Sequence, residues 1–105
     1  MGHLKERNDN AAKPQEWLIQ NDMAFILIGC AHVLIDITDI PLVNRYRWHI
    51  NHSGYIRSQA LATECGGAGL MHRLILSLGV GDKRECDHIN HITHDNRRSN
   101  LRIVD

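Results

Sequence analysis

Two short apolar runs, AFILIG (24–29) and HVLIDI (32–37), flank the break Gly29-Cys30-Ala31. Both are rich in β-branched residues, and the pattern predicts a strand, a turn and a second strand. In TDIPLVNRY (38–46) Thr38 could cap a helix, but Pro41 restricts the residue before it, so one short helical turn after the proline is expected. YRWHINHSGYIRSQ (46–59) alternates bulky and polar residues around Asn51-His52-Ser53-Gly54 and predicts a second hairpin. The glycine-rich ATECGGAGL (62–70) reads as a loop. LMHRLILSLGV (70–80) puts Leu70, Met71, Leu74, Ile75 and Leu78 on one helical stripe, with Gly79 as the C-cap. CDHI then reads as a short strand, NHITHDNRRS as a polar loop and NLRIV as the returning strand. The expected class is α+β: small antiparallel hairpins plus one helix. Residues 1–22 are a polar lead-in that Trp17-Leu18-Ile19 could pin in part, and 23–105 form the domain.

At 105 residues there is room for one domain with a modest core. Twelve Lys+Arg balance twelve Asp+Glu, so no global pull toward polyanions exists. Eight histidines make the charge sensitive to mild acid. Cys30, Cys65 and Cys86 fit neither a paired disulfide framework nor a CxxC knuckle, which points to a reducing, cytoplasmic setting. No stretch is apolar for long enough to span a membrane, and the polar start lacks the apolar segment of a secretion signal.

Candidate chemistry concentrates in CDHINHITHDNRRSNLRIVD (86–105), with three histidines, three asparagines and three aspartates in twenty positions. Asp87 could supply a hard oxygen to a divalent cation, and His88 an imidazole to deprotonate water. The Asn100 carbonyl could accept from one ring N–H and fix the tautomer. These are the parts of a metal-assisted phosphodiester hydrolase. Blander roles exist for each group. Cys86, His88, His91 and His94 could form a zinc site, although their spacing is not that of a knuckle, and His91 and His94 read as solvated loop residues. Arg97 and Arg98 fit a solvated face answering Asp95 as well as they fit phosphate. Tyr46, Trp48 and Tyr55 read as core aromatics, His72 as a hydrogen-bonded core histidine, and the cysteines as buried or incidental thiols.

MHRLI (71–75), DHIN (87–90) and DNRRSNLR (95–102), in this order, resemble the HNH endonucleases of phages and bacteria that read MHR, DHIN and DNRxxNLR. LIDITDIPLVNRYRWHINHSGY (34–55) is similar to the short strands preceding that motif, so the resemblance covers roughly residues 25 to 105. It implies a ββα (His-Me finger) core gripping one magnesium or manganese ion and acting on double-stranded DNA. Asp87 would be the metal ligand, His88 the general base and Asn100 its orienter. His72, Asp95 and Asn96 would be structural supports, and Arg97, Arg98 and Arg102 phosphate contacts. In the family the second strand is followed by a helix bearing the last metal ligand, whereas here Leu101 to Asp105 read as strand, so the likeness is to a truncated ββα motif. The alternative it raises is a catalytically inactive, HNH-derived phage protein that binds or inhibits a host defence or nucleic-acid enzyme.

Overall fold

The structure, a computed structural model, describes residues 15–79 and 81–104. Residues 1–14 of the expected lead-in lie outside them. Three antiparallel strands open the fold: β1 (Leu18–Gln20), β2 (Met23–Ile28) and β3 (Ala31–Asp36), in the order β1-β2-β3. The predicted hairpin is therefore present, in the register Ile28↔Ala31 to Met23↔Asp36. Gly29 opens its two-residue turn at φ +61°, the positive value such a turn asks of its first central residue. β1 is held from its flank, where Trp17 Nε1 donates to Asn44 Oδ1 at 2.8 Å.

Alternation along the sheet decides what is buried. Ala24, Val33 and Ile35 are fully enclosed, whereas Leu18 and Leu27 on the opposite face are 63% and 60% exposed. Against the inner face pack Val43 of α1 (Ile40–Val43), Ile56 of β5 (Ile56–Arg57), Leu61 of α2 (Gln59–Cys65), and Met71 and Ile75 of α3 (Met71–Ile75). β5 pairs with β4 (His49–Ile50), so the second predicted hairpin exists with only two residues per strand. Tyr46 and Trp48 close the core edge to face, as the sequence suggested for these aromatics.

Two helical expectations change. The helix expected over 70–80 is confined to Met71–Ile75, because Leu76 leaves helical geometry and Ser77 sits at φ +59°. A helix stands where the hairpin's tail and a loop were expected: Ser58 accepts from Leu61 N and caps Gln59–Cys65. The loop back to α3 passes so close to that helix that a Cβ on Gly69 would lie 2.3 Å from the Ser58 carbonyl oxygen. Finally β6 (Glu85–His88) pairs antiparallel with β7 (Leu101–Val104), His88 opposite Leu101 and Asp87 opposite Arg102. No helix among the described residues is long and apolar enough to cross a membrane.

Candidate active site

The β6–β7 loop is shaped by a clasp between asparagines. Asn100 Nδ2 donates to Asn90 Oδ1 at 2.8 Å, and Asn90 N donates to Asn100 Oδ1 at 3.0 Å. Asn90 Nδ2 reaches Asp95 Oδ2 at 2.9 Å, and Asn100 Nδ2 also donates to the Asp95 carbonyl. The loop is then stitched onto β3: Leu34 N donates to His94 O at 3.0 Å and Asn96 N to Leu34 O at 2.8 Å. His94 Nδ1 lies 2.9 Å from the His32 carbonyl. These bonds carry Asn96 back beneath the end of β6.

There it meets His88. The imidazole is 4% exposed and its Nε2 lies 2.8 Å from Oδ1 of Asn96, which is fully buried. Asn96 Nδ2 donates to Met71 Sδ at 3.3 Å. An amide whose NH₂ end is committed to the sulfur presents its carbonyl to the ring, an arrangement that suits a proton on Nε2. The sequence assigned the orienting role to Asn100; in the structure Asn96 contacts the ring and Asn100 belongs to the loop clasp. Spacing alone could not separate two amides four residues apart, whereas the docking of the loop on β3 does.

The His72 ring stands edge-on to His88 with centroids 4.8 Å apart, and Tyr55 lies against both rings at 5.4 and 6.0 Å. His72 was expected to be hydrogen-bonded, but its Nδ1 is buried without a partner. Burial first, then the neighbouring His88 and Arg73, lower its pKa to about 4, so the ring is neutral. Tyr55 was read as core packing and is part of this three-ring cluster. Asn90, present in the DHIN motif, was given no role, and Met71 was read as core alone.

Asp87 points to the other side of β6, as neighbours on a strand do. Its carboxylate accepts from Arg102 Nη2 at 2.6 Å, and that bond leads the effects that lower its pKa. Arg97 grips Asp95 at 2.7 Å and Arg98 grips the buried Asp39 at 2.8 Å. Burial alone would raise the Asp95 pKa, but bonds from Arg97 and Asn90 outweigh it and lower it. Each arginine expected on phosphate is thus paired with an aspartate. Asp87, His88 and Asn100 lie in three separate hydrogen-bond networks. The described residues contain no cluster of three or more His, Cys, Asp or Glu side chains placed to bind a metal ion. Cys30 and Cys65 are exposed and Cys86 is half-buried, all three unpaired by disulfides.

A cleft of about 370 Å³ opens beside the ring cluster, lined by Tyr55, His72, Arg73, Lys83, Arg84 and Cys86 among others. A larger one of about 440 Å³ lies between α2 and α3 and touches none of Asp87, His88, Asn96 or Asn100. The smaller cleft is likewise not lined by any of these four residues, and it meets the ring cluster only through Tyr55 and His72.

With this geometry in place, comparison with known proteins finds that the chain is 30% identical over 95 residues to an uncharacterized HNH endonuclease of Acanthamoeba polyphaga mimivirus. The alignment covers 84% of this chain and 48% of that relative, so the chain spans about half its relative's length. No family model matches the chain, and no solved structure does.

Proposed function

We propose that the chain is an HNH-type nuclease that hydrolyses phosphodiester bonds, with double-stranded DNA as substrate. The observation that carries this reading is the His88–Asn96 pair: a buried imidazole held at Nε2 by an amide carbonyl, with Nδ1 left to accept a proton from the attacking water. The similarity to a protein named as an HNH endonuclease supports the same class.

Asp87 is a single ionised carboxylate on an accessible face, which suits a magnesium or manganese ion that takes its other ligands from water and substrate phosphate. Such an ion, when bound, would stabilise charge on the phosphate and leaving oxygen. The chain's own residues do the remaining work. Asn96 holds the base in one tautomer, the Asn90–Asn100 clasp keeps the loop in the shape that delivers Asn96, and neutral His72 packs the base without adding charge beside it. Arg102 keeps the Asp87 carboxylate ionised and in place until phosphate and the ion arrive, when Arg102, like Arg97 and Arg98, can exchange its aspartate pair for phosphate.

The test is conversion of supercoiled plasmid to nicked or linear DNA with magnesium or manganese. Cleavage should stop with a chelator and fall at least roughly 100-fold in Asp87→Ala. Absence of any hydrolysis with either metal would overturn the reading. One observation favours a second reading, a binding module on an HNH scaffold that occupies a host enzyme: the candidate phosphate-binding arginines are all neutralised by aspartates. That reading requires a protein partner and no cleavage under any metal.

A further inference from the structure

We propose that Met71 is a positioning residue whose sulfur fixes which way the Asn96 amide faces and, through that amide, which nitrogen of His88 carries the proton. The inference rests on His88 being the base and supplies what selects its tautomer.

Asn96 is fully buried, so both ends of its amide must be matched inside the protein. The two ends are chemically opposite: Oδ1 only accepts, and Nδ2 only donates. One end faces His88 Nε2 at 2.8 Å and the other faces Met71 Sδ at 3.3 Å. An imidazole nitrogen can take either part, protonated as a donor or bare as an acceptor, so His88 cannot by itself decide the orientation. The thioether has no proton to give and can only accept. With Nδ2 toward the sulfur every group is satisfied: the amide N–H meets a lone pair, Oδ1 receives the Nε2 proton, and Nδ1 of His88 is left bare.

Turning the amide round would point Oδ1 at a sulfur that cannot donate and force the imidazole proton onto Nδ1. That state leaves a buried carbonyl unmatched and puts a proton on the nitrogen that must receive one. The discriminating atom is therefore Sδ. Met71 is fully buried at the start of α3, next to His72, which contacts the His88 ring edge-on at 4.8 Å. The first two residues of this five-residue helix thus hold the base in two ways, one through the amide and one through the ring. His72 Nδ1 has no hydrogen bond and does not compete for the amide. An apolar side chain of the same shape at 71 would fill the core equally well but could not tell the two amide orientations apart.

The experiment reads the tautomer directly, on the full chain labelled with ¹⁵N-histidine, by long-range ¹H–¹⁵N correlation of the ring. In the native protein His88 should appear as the Nε2–H form. In Met71→Leu, and in protein whose methionines are replaced by norleucine, the Nδ1–H form should rise several-fold, while selenomethionine, which keeps a soft acceptor, should leave the native pattern. An Nδ1–H native form, or a tautomer indifferent to removal of the sulfur, would overturn the proposal. Failure of both sulfur-free proteins to fold would overturn it as well, since the sulfur would then serve the core rather than the tautomer. The readout is separate from catalysis. A tautomer that follows the sulfur in a chain that cuts no DNA keeps the lock and removes the nuclease reading; cleavage with an indifferent tautomer does the reverse.

Discussion

His72 ties a buried imidazole to a measurable pH dependence. Its pKa falls from 6.5 to about 4 through burial, with His88 and Arg73 adding to the effect. In the unfolded chain the group binds a proton as pH drops below 6.5, while in the folded chain it stays neutral down to about 4. Stability present above pH 6.5 is therefore lost progressively as pH falls toward 4, by up to about 3 kcal/mol. Urea unfolding at several pH values should show this loss, and His72→Phe should remove most of it. An equally steep loss in the variant would place the acid sensitivity elsewhere. At Asn96, replacement by alanine leaves a buried imidazole N–H without a partner, which should lower stability by about 1–3 kcal/mol. Cleavage by Asn96→Ala should fall roughly 100-fold or more, since the base loses its fixed tautomer. Asn100→Ala should destabilise the loop while leaving the direct partner of His88 in place, so a smaller kinetic loss than for Asn96→Ala is expected when both are assayed on the same plasmid.

Among the elements, the antiparallel pairs were legible because their signals are local. β-branched runs around Gly29, alternation around Gly54 and the short apolar steps flanking the polar loop each announce a strand over a few residues. α2 is masked in the sequence by the glycines at 66, 67 and 69, which signal a loop, although Ser58, three residues before Leu61, carries a capping signal. α3 is shorter than its leucine stripe, which continues past Leu76, because the backbone turns at Ser77; Leu78 beyond that turn is still buried. The close passage at Gly69 is the most exacting of these connections. It has φ +69°, and any side chain there would meet the Ser58 carbonyl, so Gly69→Ala should destabilise by roughly 1–3 kcal/mol or more. Thermal melting checks this, and a native-like midpoint would show that the α2–α3 loop has room the geometry denies.

For the whole molecule, His88, Asn96, Asn100, Asp87 and Asp95 are legible in the sequence as site residues, whereas Asn90 and the partner of His88 are not. Asn96 reaches His88 only because residues 94–96 dock along Leu34, some sixty positions earlier in the chain, and no local pattern reports such a contact. The Arg97–Asp95 pair, two positions apart, was legible as the face answering Asp95, whereas the pairing of Arg98 with Asp39 and of Arg102 with Asp87 depends on placement of distant segments, and all three fit the zero formal charge. If Arg97, Arg98 and Arg102 are the residues that replace counterions, binding to DNA should depend only mildly on salt, with a log–log slope no steeper than roughly −3. Fluorescence anisotropy across a salt series checks this; a much steeper slope would mean that other basic residues carry the phosphate contacts.

The central claim is that His88 is the proton acceptor in phosphodiester hydrolysis. Plasmid cleavage by His88→Ala, at matched protein concentration, with the metal that supports the native chain and with the fold verified by circular dichroism, tests it most directly. Loss of at least roughly 100-fold in rate is the expected result, and cleavage at the native rate by the folded variant would contradict it.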